Sequence, residues 1–160
     1  MSESYLMHPS HLKNGKLVFE NCQRVQLTEA EQHQYRLNSG DILFNRTNSE
    51  ELVGKTAIVS QSTDAVFASY LIRLLVNENK ILPKFLNFWM NSDICWRAYR
   101  RLLTRGVSQA NINATELKTH LPVPSIPLQE QQAIVEILSD CDTAIEQAQN
   151  RCHLLEQELA

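Results

Sequence analysis

Four arginines fall within nine residues, Arg97, Arg100, Arg101 and Arg105, and three of them, Arg97, Arg101 and Arg105, recur at every fourth position. On a helix this spacing gathers guanidinium groups on one face. Planar, permanently charged forks suit phosphate oxygens or the edge of guanine. Directly behind the stripe come Ser108, Gln109, Asn111 and Asn113, and amide side chains of this kind pair bidentately with adenine edges. A second segment far upstream, Asn45, Arg46, Thr47, Asn48 and Ser49, repeats the same chemistry. A blander account of both segments stays open. The arginines can form a solvated helix face, and the Asn and Ser side chains can satisfy their own backbone in turns.

Other chemistries find little support. The chain has only four glycines, so no G-x-G-x-x-G loop for a dinucleotide can be assembled. Gly54-Lys55-Thr56 looks like the end of a phosphate-binding loop, but Ser49 stands where the first glycine is needed and AIVS behind it reads as strand, not helix. The histidines (His8, His11, His33, His120, His153) are scattered, and no carboxylate cluster sits beside a lysine as in metal-dependent nucleases. Cys22, Cys95, Cys141 and Cys152 form no C-x-x-C pair and read as small, reduced hydrophobes. We therefore expect no catalytic residue, no metal and no cofactor.

The net charge of −3 would ordinarily argue against nucleic acid, yet it averages two unlike regions. Residues 1–128 carry 14 Lys and Arg against 11 Asp and Glu, a balance of +3, whereas residues 129–160 carry one Arg against seven acids, a balance of −6. Such a step predicts two parts with different partners. The 160 residues, 43% hydrophobic, suit one domain with a helical extension. No apolar run reaches the length of a membrane span, and the start MSESYLMHPS has neither a basic nor an apolar leader region. The expectation is a cytoplasmic protein with no membrane partner.

The elements that must position these side chains follow from the pattern. Residues 15–21, 41–45, 55–60 and 66–76 are short runs rich in Val, Ile, Phe and Tyr bounded by turn residues, and read as strands. The run 66–76 is apolar on both alternating sets and is the expected central strand, with 46–54 an exposed loop between paired strands. Pro83 opens one helix, and Ser92 or Asp93 caps a second that carries the arginine stripe. The stretch 105–120 reads as polar and turn-rich, and three prolines, Pro122, Pro124 and Pro127, mark a boundary. From Pro127 onward there is neither Pro nor Gly, and Ile134, Leu138, Cys141, Ile145, Ala148, Cys152, Leu155 and Leu159 alternate at spacings of four and three. This is a heptad seam on a helix too long for one small domain to cover, so it calls for a partner helix.

Four blocks in order, GDILFNRTNSEELVGKTAIV (40–59), FASYLIRL (67–74), SQANINATELK (108–118) and LPVPSIPLQEQQAIVEIL (121–138), resemble the target-recognition domain and following helix of type I restriction-modification specificity (S) subunits. The resemblance implies an α+β fold, with a mixed β-sheet target-recognition domain containing short helices over residues 1–124 and one long coiled-coil α-helix for spacing or dimerisation over 125–160. It implies a non-catalytic component that reads one half of a bipartite sequence in double-stranded DNA and docks methyltransferase (M) subunits. Restriction (R) subunits would join through the complex, and adenine methylation and ATP-driven cleavage would belong to M and R. The expected DNA-binding residues are Arg46, Thr47, Asn48, Ser49, Arg97, Arg101, Arg105, Ser108, Gln109 and Asn111. The expected coiled-coil interface is the heptad seam, facing a second S half or a second copy of the chain.

Two departures qualify this expectation. The family pairs two recognition domains with two antiparallel helices, whereas this chain supplies one of each. Members also usually open with a further segment, often bearing a tryptophan, part of which is missing here. An alternative role follows: a truncated or regulatory fragment that binds M or S subunits through its helix without reading DNA.

Overall fold

The computed structural model describes residues 2–106 and 109–158. In chain order the elements are β1 (Ser2–Met7), β2 (Leu12–Lys13), β3 (Gly15–Leu17), β4 (Gln23–Leu27), α1 (Glu29–Tyr35), β5 (Ile42–Asn45), β6 (Thr47–Asn48), β7 (Thr56–Ile58), β8 (Ala65–Phe67), β9 (Leu71–Leu74), α2 (Pro83–Met90), α3 (Asp93–Tyr99), β10 (Thr104–Arg105), β11 (Ala110–Asn111), α4 (Ala114–His120) and α5 (Leu128–Glu158). They form a five-stranded sheet ordered β2-β3-β7-β5-β9, a three-stranded sheet β4-β1-β8, and a small ribbon β10-β11-β6. The expected α+β class with a long terminal helix is what the chain adopts.

The strand covered on both faces is β5. Every residue of Ile42-Leu43-Phe44-Asn45 is buried, and successive side chains of a strand point to opposite faces. Ile42 and Phe44 therefore enter one core with Val53, Leu86, Met90 and Tyr99, whereas Leu43 enters another with Met7, Leu37, Ala57 and Leu71. Residues 66–76, expected to be one central strand, are not. A turn in which Leu71 N–H donates to the Ala68 carbonyl splits the run. Its first part, β8, pairs in parallel with β1, and its second, β9, is an edge strand beside β5. The apolar character of both faces reflects membership of two sheets. Arg73, in the middle of β9, reaches the carbonyls of Arg36 and Gln34 at the end of α1 (2.9 and 3.2 Å), a bond that an edge position permits.

Local signals account for the other elements. Asn14 and Gly15, both at positive φ (50° and 75°), make the two-residue turn joining β2 to β3, the favoured chemistry for a tight hairpin. Thr28 and Glu31 form a reciprocal cap at the start of α1. Ser92 rather than Asp93 caps α3, its hydroxyl accepting from Cys95 N–H at 3.3 Å. Asn113 caps α4 by accepting from Thr115 N–H at 2.8 Å, so the segment read as turn-rich contains a helix.

The helix α5 runs for 31 residues, about 46 Å at 1.5 Å per residue. It packs on α2 through Gln131 and Val135, 1% and 7% exposed. The Gln131 side chain is fully engaged: it accepts from Leu82 N–H (2.8 Å) and donates to the carbonyls of Lys80 (3.1 Å) and Ile126 (2.9 Å), which is what makes burying an amide tolerable. Further along, Glu146 pairs with Lys16 of β3. The heptad seam adjoins this docking side, and Leu138 and Ile145 border the cleft between α5 and the domain. Ile134 is half-buried, Leu138, Cys141, Ala148 and Cys152 are exposed, Ile145 and Leu155 are 54% and 52% exposed, and Leu159 lies outside the described residues.

Candidate nucleic-acid interface

The two polar segments picked out by their residue types meet in the ribbon. Strand β11 lies between β10 and β6, with Thr104 opposite Asn111, Arg105 opposite Ala110, Ala110 opposite Asn48 and Asn111 opposite Thr47. The loop after β5 is thereby laced to a segment more than fifty residues later in the chain. Asn111 Oδ1 accepts from Thr47 Oγ1 (2.9 Å) and Arg46 Nε (3.3 Å), and Ile112 N–H donates to the Arg46 carbonyl. Arg46, Thr47, Asn48, Ser49 and Asn111 are half-buried, whereas Arg105 and Gln109 are exposed. Ser108 lies outside the described residues.

The ribbon is anchored from below. Asn45 is fully buried, and its Nδ2 donates to the Leu52 carbonyl at 2.8 Å, closing the 45–54 loop from inside. Its Oδ1 makes no hydrogen bond among the described residues. Gly54 adopts φ +96°, and a Cβ there would meet Tyr99 Cε2 at 2.2 Å. The Tyr99 hydroxyl lies 2.9 and 2.7 Å from the carbonyls of Gly54 and Met90, so one buried phenol pins the loop to the helices. Burial, with Cys95 adding to it, pushes the Tyr99 pKa up, and burial pushes Cys95 to about 12; both side chains stay neutral and structural.

The arginines are arranged differently from the expected helical stripe. The α-helix ends at Tyr99, Arg100 and Arg101 occupy a 3-10 turn, and Arg105 belongs to β10. Strand pairing with β11 requires extended backbone at Thr104 and Arg105, and that tertiary ladder overrides the helical spacing. Arg97 and Arg101 are exposed and make no ion pair among the described residues. Arg100 stacks over Trp96 at 4.3 Å and lies 3.9 Å from Glu50. Arg105 pairs through Nε with Glu50. Glu50 was not anticipated, since nothing in sequence links it to residues fifty positions away. The blander account holds for some polar residues: Asn113 is a helix cap, Asn48 Oδ1 accepts from Ser49 N–H, and Asn45 is a loop clamp. Among the described residues no group of His, Cys, Asp and Glu could hold a metal, and no helix is long and apolar enough to cross a membrane.

This arrangement, a mixed-sheet domain with a polar ribbon and a long trailing helix, belongs to a recognised class. The family model of the type I restriction modification DNA specificity domain matches residues 9–156, and the chain belongs to that family. Among its relatives is a Methanocaldococcus jannaschii protein provisionally named as the type I restriction enzyme MjaX specificity subunit, 41% identical over 112 residues, covering 69% of this chain and 26% of the relative. The type I restriction enzyme StySPI specificity subunit of Salmonella potsdam is 28% identical over 155 residues, covering 93% of this chain and 33% of the relative. The chain thus spans a quarter to a third of these relatives' length. The fold is shared with the crystal structure of the HsdS subunit from Thermoanaerobacter tengcongensis, at a TM-score of 0.69 and 18% identity over 92% of this chain and 37% of that one.

Proposed function

We propose that this chain is a sequence-reading domain for double-stranded DNA in a type I restriction-modification complex, contributing one half of a bipartite target and no catalytic group of its own. The observation that carries this reading is the ribbon β6-β11-β10. It brings Arg46, Thr47, Asn48, Ser49, Arg105, Gln109 and Asn111 from two distant segments into and around one small ribbon, with Thr47 and Asn111 on one face and Asn48 and Arg105 on the other. A two-stranded or three-stranded ribbon with projecting amides and guanidinium groups fits a DNA groove. Arg97 and Arg101, exposed and unpaired among the described residues, suit flanking phosphates, whose contacts position a protein without reading sequence; Ser108 belongs to the same proposed surface.

In this reading the heptad seam of residues 134–159 packs against another helix, from a second S half or a second copy of the chain, and the helix also docks methyltransferase subunits, with restriction subunits joining the complex in the cytoplasm. The acidic balance of residues 129–160 keeps this helix away from phosphate. The test combines the purified chain with methyltransferase subunits on a genomic DNA pool. Binding should be sequence-selective and weaken steeply with salt. Association with those subunits but no sequence preference would instead favour an interaction fragment that acts through its helix alone.

A further inference from the structure

The loop after β6 carries a carboxylate at a surface proposed to meet a polyanion. Glu50 accepts from Arg105 Nε, and Arg100, stacked on Trp96, lies 3.9 Å away from it. With Nε engaged by Glu50, the terminal nitrogens of Arg105 make no hydrogen bond among the described residues. The guanidinium is a rigid plane with five donors. Held by Nε, it presents its two-nitrogen end as a fork, and that is the geometry that pairs with O6 and N7 of guanine. The same Arg105 sits on β10 beside Gln109 at a cleft of about 330 Å³ that also includes Ser49, Glu50 and Glu51.

We propose that Glu50 is a positioning and specificity-determining residue, which buttresses Arg105 so that it reads a guanine edge and not any nearby phosphate. The proposal rests on the DNA-reading function above. Two physical effects converge. The carboxylate cancels much of the attraction that Arg105 would exert on phosphates of every sequence. It also restricts a long, flexible side chain to orientations useful for a base. An exposed ion pair is itself only weakly stabilising, so removing it should leave the fold intact while altering what the arginine binds. Glu51 is the natural comparison: it bears the same charge one residue on and accepts from the Ser49 hydroxyl at 3.3 Å, with no arginine partner among the described residues.

The experiment measures binding of the full chain to a duplex pool of random sequence and to duplexes enriched from that pool by the unmodified chain, across a salt series. Glu50→Gln should bind the random pool about threefold to tenfold more tightly, with a salt slope steeper by about one, and lose preference for the enriched duplexes by a similar factor. Combined with Arg105→Ala, Glu50→Gln should no longer alter the preference for the enriched duplexes, and its effect on the random pool should shrink to what freeing Arg100 gives. Arg105→Lys, which keeps the charge and removes the fork, should retain binding to the random pool and lose the preference. The proposal is overturned if Glu50→Gln behaves as the unmodified chain, or if Glu51→Gln reproduces its effect, which would make it charge alone. If the unmodified chain enriches no sequence, the DNA-reading function itself fails, and the proposal with it.

Discussion

Tyr99 ties the 45–54 loop to the helices beneath the ribbon. Its ring packs edge-on to Phe44 at 5.7 Å, and its hydroxyl reaches two buried carbonyls. Tyr99→Phe should lower stability by about 1–2 kcal/mol in chemical denaturation, since a buried acceptor loses its donor. Gly54→Ala should cost more than about 1 kcal/mol, because a positive φ and contact with the Tyr99 ring both oppose a side chain there. His11 supplies a pH signature. Burial chiefly, with His8 and Lys13 adding to it, holds its pKa below the ordinary 6.5, and its Nδ1 accepts from His8 N–H at 2.9 Å. The unfolded chain therefore takes up a proton that the fold resists. The contribution is neutral above pH 6.5, and stability falls as pH drops from there through the lower folded value. Urea midpoints at successive pH values should show this slope, and His11→Gln should flatten it.

At the scale of elements, α5 differs along its length: its first turns pack on the domain and its last turns extend beyond it. Gln131 and Val135 are buried against the domain, Ile145 is half-exposed at the edge of the cleft between α5 and the domain, and Leu155, further along, is 52% exposed. Val135→Asp buries a charge against α2 and should lower the melting temperature of the isolated chain, by about 2 kcal/mol or more in stability. Leu155→Asp, on the part of the helix beyond the domain, should leave that temperature nearly unchanged and abolish helix-mediated association in a sizing experiment; unaltered association would dispose of the seam as an interface. The helices at Pro83, Ser92 and Pro127, and the strands near 15, 42, 56 and 66, were legible because caps, prolines and apolar runs are local signals. Three further signals are equally local: Asn14-Gly15 for a hairpin, Thr28 with Glu31 for α1, and Asn113 with Glu116 for α4. The splitting of residues 66–76 between two sheets had no local signal, since partner strands alone decide it.

For the whole molecule, the division of charge should be visible in binding. Arg101→Ala should weaken all duplexes about equally and lower the salt slope by about one, whereas Asn111→Ala should relax preference at particular positions. The order of residues alone determined that a modestly basic region precedes an acidic stretch with helical periodicity, that no G-x-G-x-x-G loop can be assembled, and which residue types could meet DNA. These are properties of the chain whatever its path. Only the tertiary structure decided that Thr47 and Asn111 stand opposite each other, that Arg105 leaves the helix that carries Arg97, and that Glu50 captures Arg105. Each of these depends on pairing between segments far apart in sequence. Such pairings are set by two cores closing on opposite faces of β5 and by a tyrosine that fits against a glycine; residue spacing along the chain carries no record of them.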